Sequence, residues 1–108
     1  MATDFGIKIR HLRIKHKMLL RHVASALDID AALLSKIEGG NRIIKKEQIP
    51  LIAEVLKADK DELVTLWLAD RIMNILKDEK FADKALKTVS KNIKEIKDRN
   101  KQSLDERE

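Results

Sequence analysis

Cysteine is absent from the 108-residue chain. That excludes disulfides and thiol catalysis and fits a reducing compartment. Aromatic residues reach only 3%, with one Trp and no Tyr, and there are 3 Gly and 1 Pro. Long β-sheets draw on aromatic and β-branched residues, so this scarcity argues against a sheet-based fold. No apolar run approaches the roughly 18 residues of a membrane span, so no membrane partner is expected. The opening MATDFGIKIR lacks the apolar stretch of a secretory signal, and a cytoplasmic protein is expected. No nucleophile–base pair, Gly-rich phosphate loop or paired carboxylates can be read, so no catalytic residue is assigned and no enzyme is expected. His11, His16 and His22 are scattered, without Cys or clustered carboxylates beside them. The expectation is no metal and no cofactor, with the imidazoles at the surface or facing phosphate.

What is present favours helix. Apolar residues make up 44% and charged residues 38%. A chain this long and rich in Leu, Ile, Ala, Lys, Glu and Asp suits a small all-α protein with a modest core. The formal net charge of +5 is unevenly placed. Residues 1–60 carry 12 Lys and Arg against 7 Asp and Glu, whereas residues 61–108 carry 11 of each. A basic N-terminal half points to a polyanion as partner.

Periodicity predicts six helices. The first spans about Asp4–Lys17, capped by Thr3 or Asp4, with Phe5, Ile9 and Leu12 on one face at i, i+4, i+7. Ile7 and Ile14 fall on another face. The second spans about Leu20–Leu27 with Val23 and Leu27 inward and Ala24 small at a close crossing. Asp28 follows in a left-handed turn, which Asp tolerates better than most residues. Ile29 plugs that turn into the core, and Asp30 caps the third helix, Ala31–Glu38. Leu34 and Ile37 point inward there, and Gly39-Gly40 ends it. A basic loop leads to a fourth helix from Glu47 or Gln48 to Lys57, with Pro50 in its first turn. Asp59 and Glu62 form a capping box for the fifth, Lys60–Lys77. Its segment Leu63–Ala69 is apolar almost all round, so two buried faces are expected. The sixth helix, about Lys80–Asp98, carries a stripe of Phe81, Ala85, Val89, Ile93 and Ile96. Residues 99–108 read as a frayed polar tail.

FGIKIRHLR, VASALDID, LLSKIEGGNR, IPLIAEVL and DKDEL follow one another at characteristic spacing over about residues 5–68. Together they resemble the phage repressor and Cro-type (XRE) helix-turn-helix DNA-binding family. The resemblance implies a five-helix DNA-binding domain over residues 1–70, with the third helix in the major groove of double-stranded DNA. It implies a buried ion pair between Arg13 and Glu38. It assigns base contacts to Ala31, Ala32, Ser35 and Lys36. Lys36 can donate to guanine, Ser35 can pair with several bases, and alanine can only pack on a thymine methyl. Phosphate contacts fall to Arg21, His22, Gly40, Asn41, Arg42, Lys45 and Lys46. Leu20 stands where the family often has a phosphate-binding Gln, and Arg21 and His22 are close enough to replace it. Lys8, Lys15 and Lys57 read as solvated surface charges.

Residues 71–98 extend beyond this minimal domain. The expectation is a homodimer whose interface includes Leu66, Trp67, Ile72 and Ile75, with Trp67 as anchor. The sixth helix either joins that interface or folds back over Ile7 and Ile14. The function expected is a transcriptional regulator, a repressor or controller on a roughly palindromic operator. An antitoxin with a toxin partner, or an interaction module on the same fold, is the alternative.

Overall fold

A computed structural model describes residues 2–107. Six α-helices follow in order: α1 Asp4–Lys15, α2 Leu20–Ala26, α3 Ala31–Glu38, α4 Ile49–Leu56, α5 Lys60–Leu76 and α6 Ala82–Arg107. A single 3₁₀ turn, Lys46–Gln48, precedes α4, and there is no strand among the described residues. The chain divides into two compact units, Met1–Asn74 and Ile75–Glu108.

In the first unit α1 is capped twice at its start. Thr3 Oγ1 accepts the Gly6 N–H at 3.0 Å. The Asp70 carboxylate adds a second cap from far along the chain, accepting the N–H groups of Asp4 at 3.1 Å and Phe5 at 2.9 Å. Four N–H groups at a helix start lack intrahelical partners, and a carboxylate there also favours the helix dipole. Phe5, Ile9 and Leu12 are buried. α1 closes at Lys15 rather than at Lys17, because Lys17 adopts φ 56° and reverses the chain. Gly6 is required by packing. A Cβ there would lie 2.6 Å from the Glu38 carbonyl and 2.7 Å from that of Ile37, so α1 meets the end of α3 backbone to backbone.

The α2–α3 turn places Asp28 at φ 57°, and the Ile29 N–H returns to the Ala24 carbonyl at 3.0 Å. Ile29 packs half-buried against the core. Asp30 Oδ1 accepts the Leu33 N–H at 2.7 Å and starts α3. Gly40, at φ 82°, ends it, and the Asn41 N–H closes on the Lys36 carbonyl at 2.9 Å. α3 packs against α1 and α2, and α4 packs against α1. Ile49, Ile52, Ala53 and Leu56 complete the core from α4, with Pro50 tolerated in its first turn.

α5 departs from expectation at several points. Asp59 Oδ1 accepts from the Asp61 N–H at 2.9 Å, but Glu62 does not reciprocate as in a capping box. Its carboxylate turns to Lys8 Nζ at 3.0 Å, so Lys8 is paired, though this half-exposed bridge contributes little to stability. Only one face of α5 is deeply buried, through Leu63 and Trp67, while Leu68, Ile72 and Met73 are exposed. Trp67, expected as the anchor of a subunit interface, lies in the core of the single chain. It is 7% exposed within one chain and its indole N–H donates to the Ile44 carbonyl at 2.7 Å. A buried indole needs such a partner, and the irregular loop before α4 supplies a free carbonyl. Leu66 is likewise half-buried against the core, whereas Ile72 and Ile75 are exposed. Ile7 and Ile14 are more than half exposed, at 54% and 55%.

In the second unit α6 runs to Arg107, past the expected end at Asp98. No Gly or Pro interrupts residues 99–107, and most of them are good helix formers. Phe81 precedes the helix, 61% exposed, with the Lys80 and Lys84 ammonium groups each 5.6 Å from its ring. Among the residues of α6 whose burial is described, the exposed large apolar ones are Leu86, Val89, Ile93 and Ile96, and Ala85 is exposed as well. The expected stripe did not include Leu86, and its first member, Phe81, lies just before the helix.

Candidate nucleic-acid interface

The helix-turn-helix is positioned by a buried ion pair. Arg13 Nε donates to Glu38 Oε2 at 2.7 Å and its second terminal nitrogen to Oε1 at 3.0 Å. The remaining terminal nitrogen donates to the Met18 carbonyl at 3.0 Å, tying down the turn that leads into α2. The two side chains are 13% and 6% exposed. The hydrogen bond to Glu38 raises the Arg13 pKa above its ordinary value, outweighing the lowering by burial. A planar guanidinium meeting a carboxylate through two parallel bonds fixes orientation as well as distance. The pair thus joins α1 to the end of α3 and sets the angle at which α3 is presented.

With Leu34, Ile37 and Glu38 buried, α3 turns Ala32, Ser35 and Lys36 outward to solvent. Ala31 packs half-buried against the core and is less available than its neighbours. Leu20 is also half-buried there, which accounts for an apolar residue at the start of α2. Arg21 and His22 stand exposed on the first turn of α2.

After α3 comes the loop with Asn41, Arg42, Lys45 and Lys46, all exposed. Its position is not left to chance. Ile44 is buried and its carbonyl accepts the Trp67 indole N–H, while Gln48 Oε1 accepts the Lys45 N–H at 3.3 Å. Trp67 therefore anchors the basic loop. Among the described residues, Arg21, Lys36, Arg42, Lys45 and Lys46 make no ion pair within the chain. Five cations without internal partners, on and around an exposed helix, are available to an external polyanion.

Sequence reasoning missed Arg71. Its guanidinium lies over the Trp67 ring, 4.8 Å from the centroid, a cation–π contact. Arg71, Arg42, Asn41 and Gly40 line an open cleft of about 380 Å³ beside the loop. The only sequence signal was the i, i+4 spacing of Trp67 and Arg71 on one helix. No group of carboxylates and imidazoles gathers into a metal-binding cluster among the described residues. No described helix is long and apolar enough to cross a membrane.

Comparison with known proteins places this geometry. A family model described as a helix-turn-helix domain matches residues 4–66. No curated protein matches the sequence. Among solved structures, the restriction-modification controller protein C.AhdI from Aeromonas hydrophila is similar in fold, with a TM-score of 0.52 and 24% identity. The match covers 56% of this chain and 88% of that one. At that identity the likeness speaks to the fold alone.

Proposed function

Because the chain belongs to the helix-turn-helix domain family, we propose that it is a DNA-binding transcriptional regulator. It acts as a homodimer on a roughly palindromic operator and works as a repressor or controller. α3 enters the major groove, where Ser35 and Lys36 read base edges and Ala32, with Ala31 behind it, packs on thymine methyls. Arg42, Lys45 and Lys46, with the Gly40 and Asn41 backbone, hold one phosphate strand, and Arg21 and His22 hold phosphates from α2. The observation that carries this reading is the loop of unpaired cations held by Trp67 directly after the exposed face of α3. Because only Ser35 and Lys36 offer polar side chains at the groove, much of the affinity comes from the backbone contacts and from pairing two copies.

Salt titration of DNA binding tests this. Affinity falls steeply as salt rises, because neutralised phosphates release counterions. Lys45→Glu weakens binding to every sequence by a similar factor and lowers the log–log salt slope by about 1 per lost phosphate contact. A slope that does not change removes Lys45 from the phosphate contacts. A second reading, a protein-interaction module on the same fold, draws on Ala31, Ala32 and Leu20, which cannot hydrogen-bond to DNA through their side chains. Equal and feeble binding of random and selected duplexes at low salt decides for that module.

A further inference from the structure

α6 carries its apolar residues in a pattern that a single folded chain does not need. Leu86, Val89, Ile93 and Ile96 are spaced by 3, 4 and 3 residues. Extending the same spacing reaches Ala82 on one side and Asn100 on the other. Over residues 86–96 the large apolar side chains thus follow a 3.5-residue repeat at two positions in seven, with Ala85 beside the seam. A helix covering a globular core shows a wider stripe, whereas a strict two-in-seven seam is the mark of one helix pairing with another. The four large side chains are uniformly half-exposed, between 46% and 49%.

From this spacing we propose that α6 pairs with α6 of a second copy as a parallel, in-register, two-stranded coiled coil. The proposal deepens the dimeric part of the function above and rests on it. In heptad terms Leu86, Ile93 and Asn100 occupy a positions, and Ala82, Val89 and Ile96 occupy d positions. The seam extends over about 27 Å at 1.5 Å per residue. A single Asn at an a position sets register and strand number, because in a parallel pair the two amides meet and satisfy each other. Antiparallel pairing sets Asn100 against Ala82, which leaves the amide facing a methyl.

Charge agrees with a second copy of the same chain. The lysines at 84, 87, 91 and 94 lie on the outward positions, away from the seam. The flanking pairs between parallel copies are Ala85 with Ser90 and Asn92 with Lys97, so no like charges oppose one another. Two copies of a lysine-rich helix can therefore approach along this one line.

The test is sedimentation equilibrium of the full chain at micromolar concentration, without DNA. The wild type is expected to be a dimer. Ile93→Lys weakens the dimer at least about a hundredfold, since each copy forfeits the burial of one large apolar side chain. Its secondary structure and melting of the first unit stay as in the wild type, because position 93 is exposed in the single chain. Lys91→Glu, on the outward face, leaves association unchanged. Ala82→Cys reads the direction, and the chain has no native thiol to compete. Parallel copies place the two thiols together and cross-link under mild oxidation, whereas antiparallel copies hold them at opposite ends. A 12.4 kDa species for the wild type, a dimer indifferent to Ile93→Lys, or absence of the cross-link overturns the proposal. None of these readouts involves DNA. A protein that dimerises through α6 and fails to bind any duplex therefore refutes the regulator reading and leaves the seam intact.

Discussion

Replacing Arg13 by methionine is expected to lower the melting temperature by more than about 10 °C. The guanidinium makes three hydrogen bonds, two to Glu38 and one to the Met18 carbonyl. Methionine fills much of the same space but donates nothing. It leaves a carboxylate, 6% exposed, without its partner. Removing one member of a buried pair costs about 3–5 kcal/mol, and in a domain of this size about 1 kcal/mol shifts the midpoint by roughly 4–8 °C. The net worth of the pair is a separate quantity. Arg13→Met combined with Glu38→Leu therefore recovers a large part of the loss, since no charge is then left buried. DNA affinity of the single variant, measured well below its midpoint, changes only through the angle of α3. An unchanged thermal midpoint shows that the pair is solvated in solution.

Trp67→Ala is expected to cost about 3–5 kcal/mol in denaturant unfolding, the range for deleting a buried aromatic side chain. Trp67 touches the core, accepts the Arg71 guanidinium on its face and donates to Ile44. Trp67→Phe separates these contributions. It keeps most of the apolar volume but leaves the buried Ile44 carbonyl without its donor, at about 1–3 kcal/mol. In that variant the loop bearing Arg42, Lys45 and Lys46 loses its tether, so the salt slope of DNA binding falls while the core stays folded. An anchor at a subunit interface behaves differently, with alanine changing the association constant and leaving the unfolding of the monomer alone. Unfolding and sedimentation on the same samples distinguish the two roles.

The contrast between Arg13 and Trp67 shows what a sequence can disclose here. Thr3, Asp28, Asp30 and Gly39-Gly40 act through hydrogen bonds and backbone angles within a few residues, so propensity rules reach them. Arg13 and Glu38 lie 25 residues apart, and only the resemblance to a known family brought them together. Trp67 packs into the core of its own chain, an orientation that Leu63–Ala69, apolar almost all round, does not specify. Composition states that such a helix buries surface, but which side turns inward depends on elements elsewhere in the chain. Asp70, capping α1 across 65 and 66 residues, is legible to no local rule. Glu62 satisfied the capping-box pattern at Asp59, yet Lys8 offered it a charged partner. The end of α6 was misplaced for another reason. Residues 99–107 are mostly polar, yet most are helix formers with no Gly or Pro among them. The apolar stripe on α6 is legible from spacing alone, since Val89, Ile93 and Ile96 recur at helical intervals.

Selection of duplexes from a random pool by the full chain, at near-physiological salt, tests the central claim most directly. The account predicts enrichment of a twofold-symmetric site. Its half-sites lie about one helical turn apart, each bound well above the random pool. Lys36→Ala carried through the same selection relaxes preference at one base pair per half-site and leaves the spacing unchanged. A pool that shows no enrichment, with selected and random duplexes held equally weakly, contradicts DNA recognition by α3.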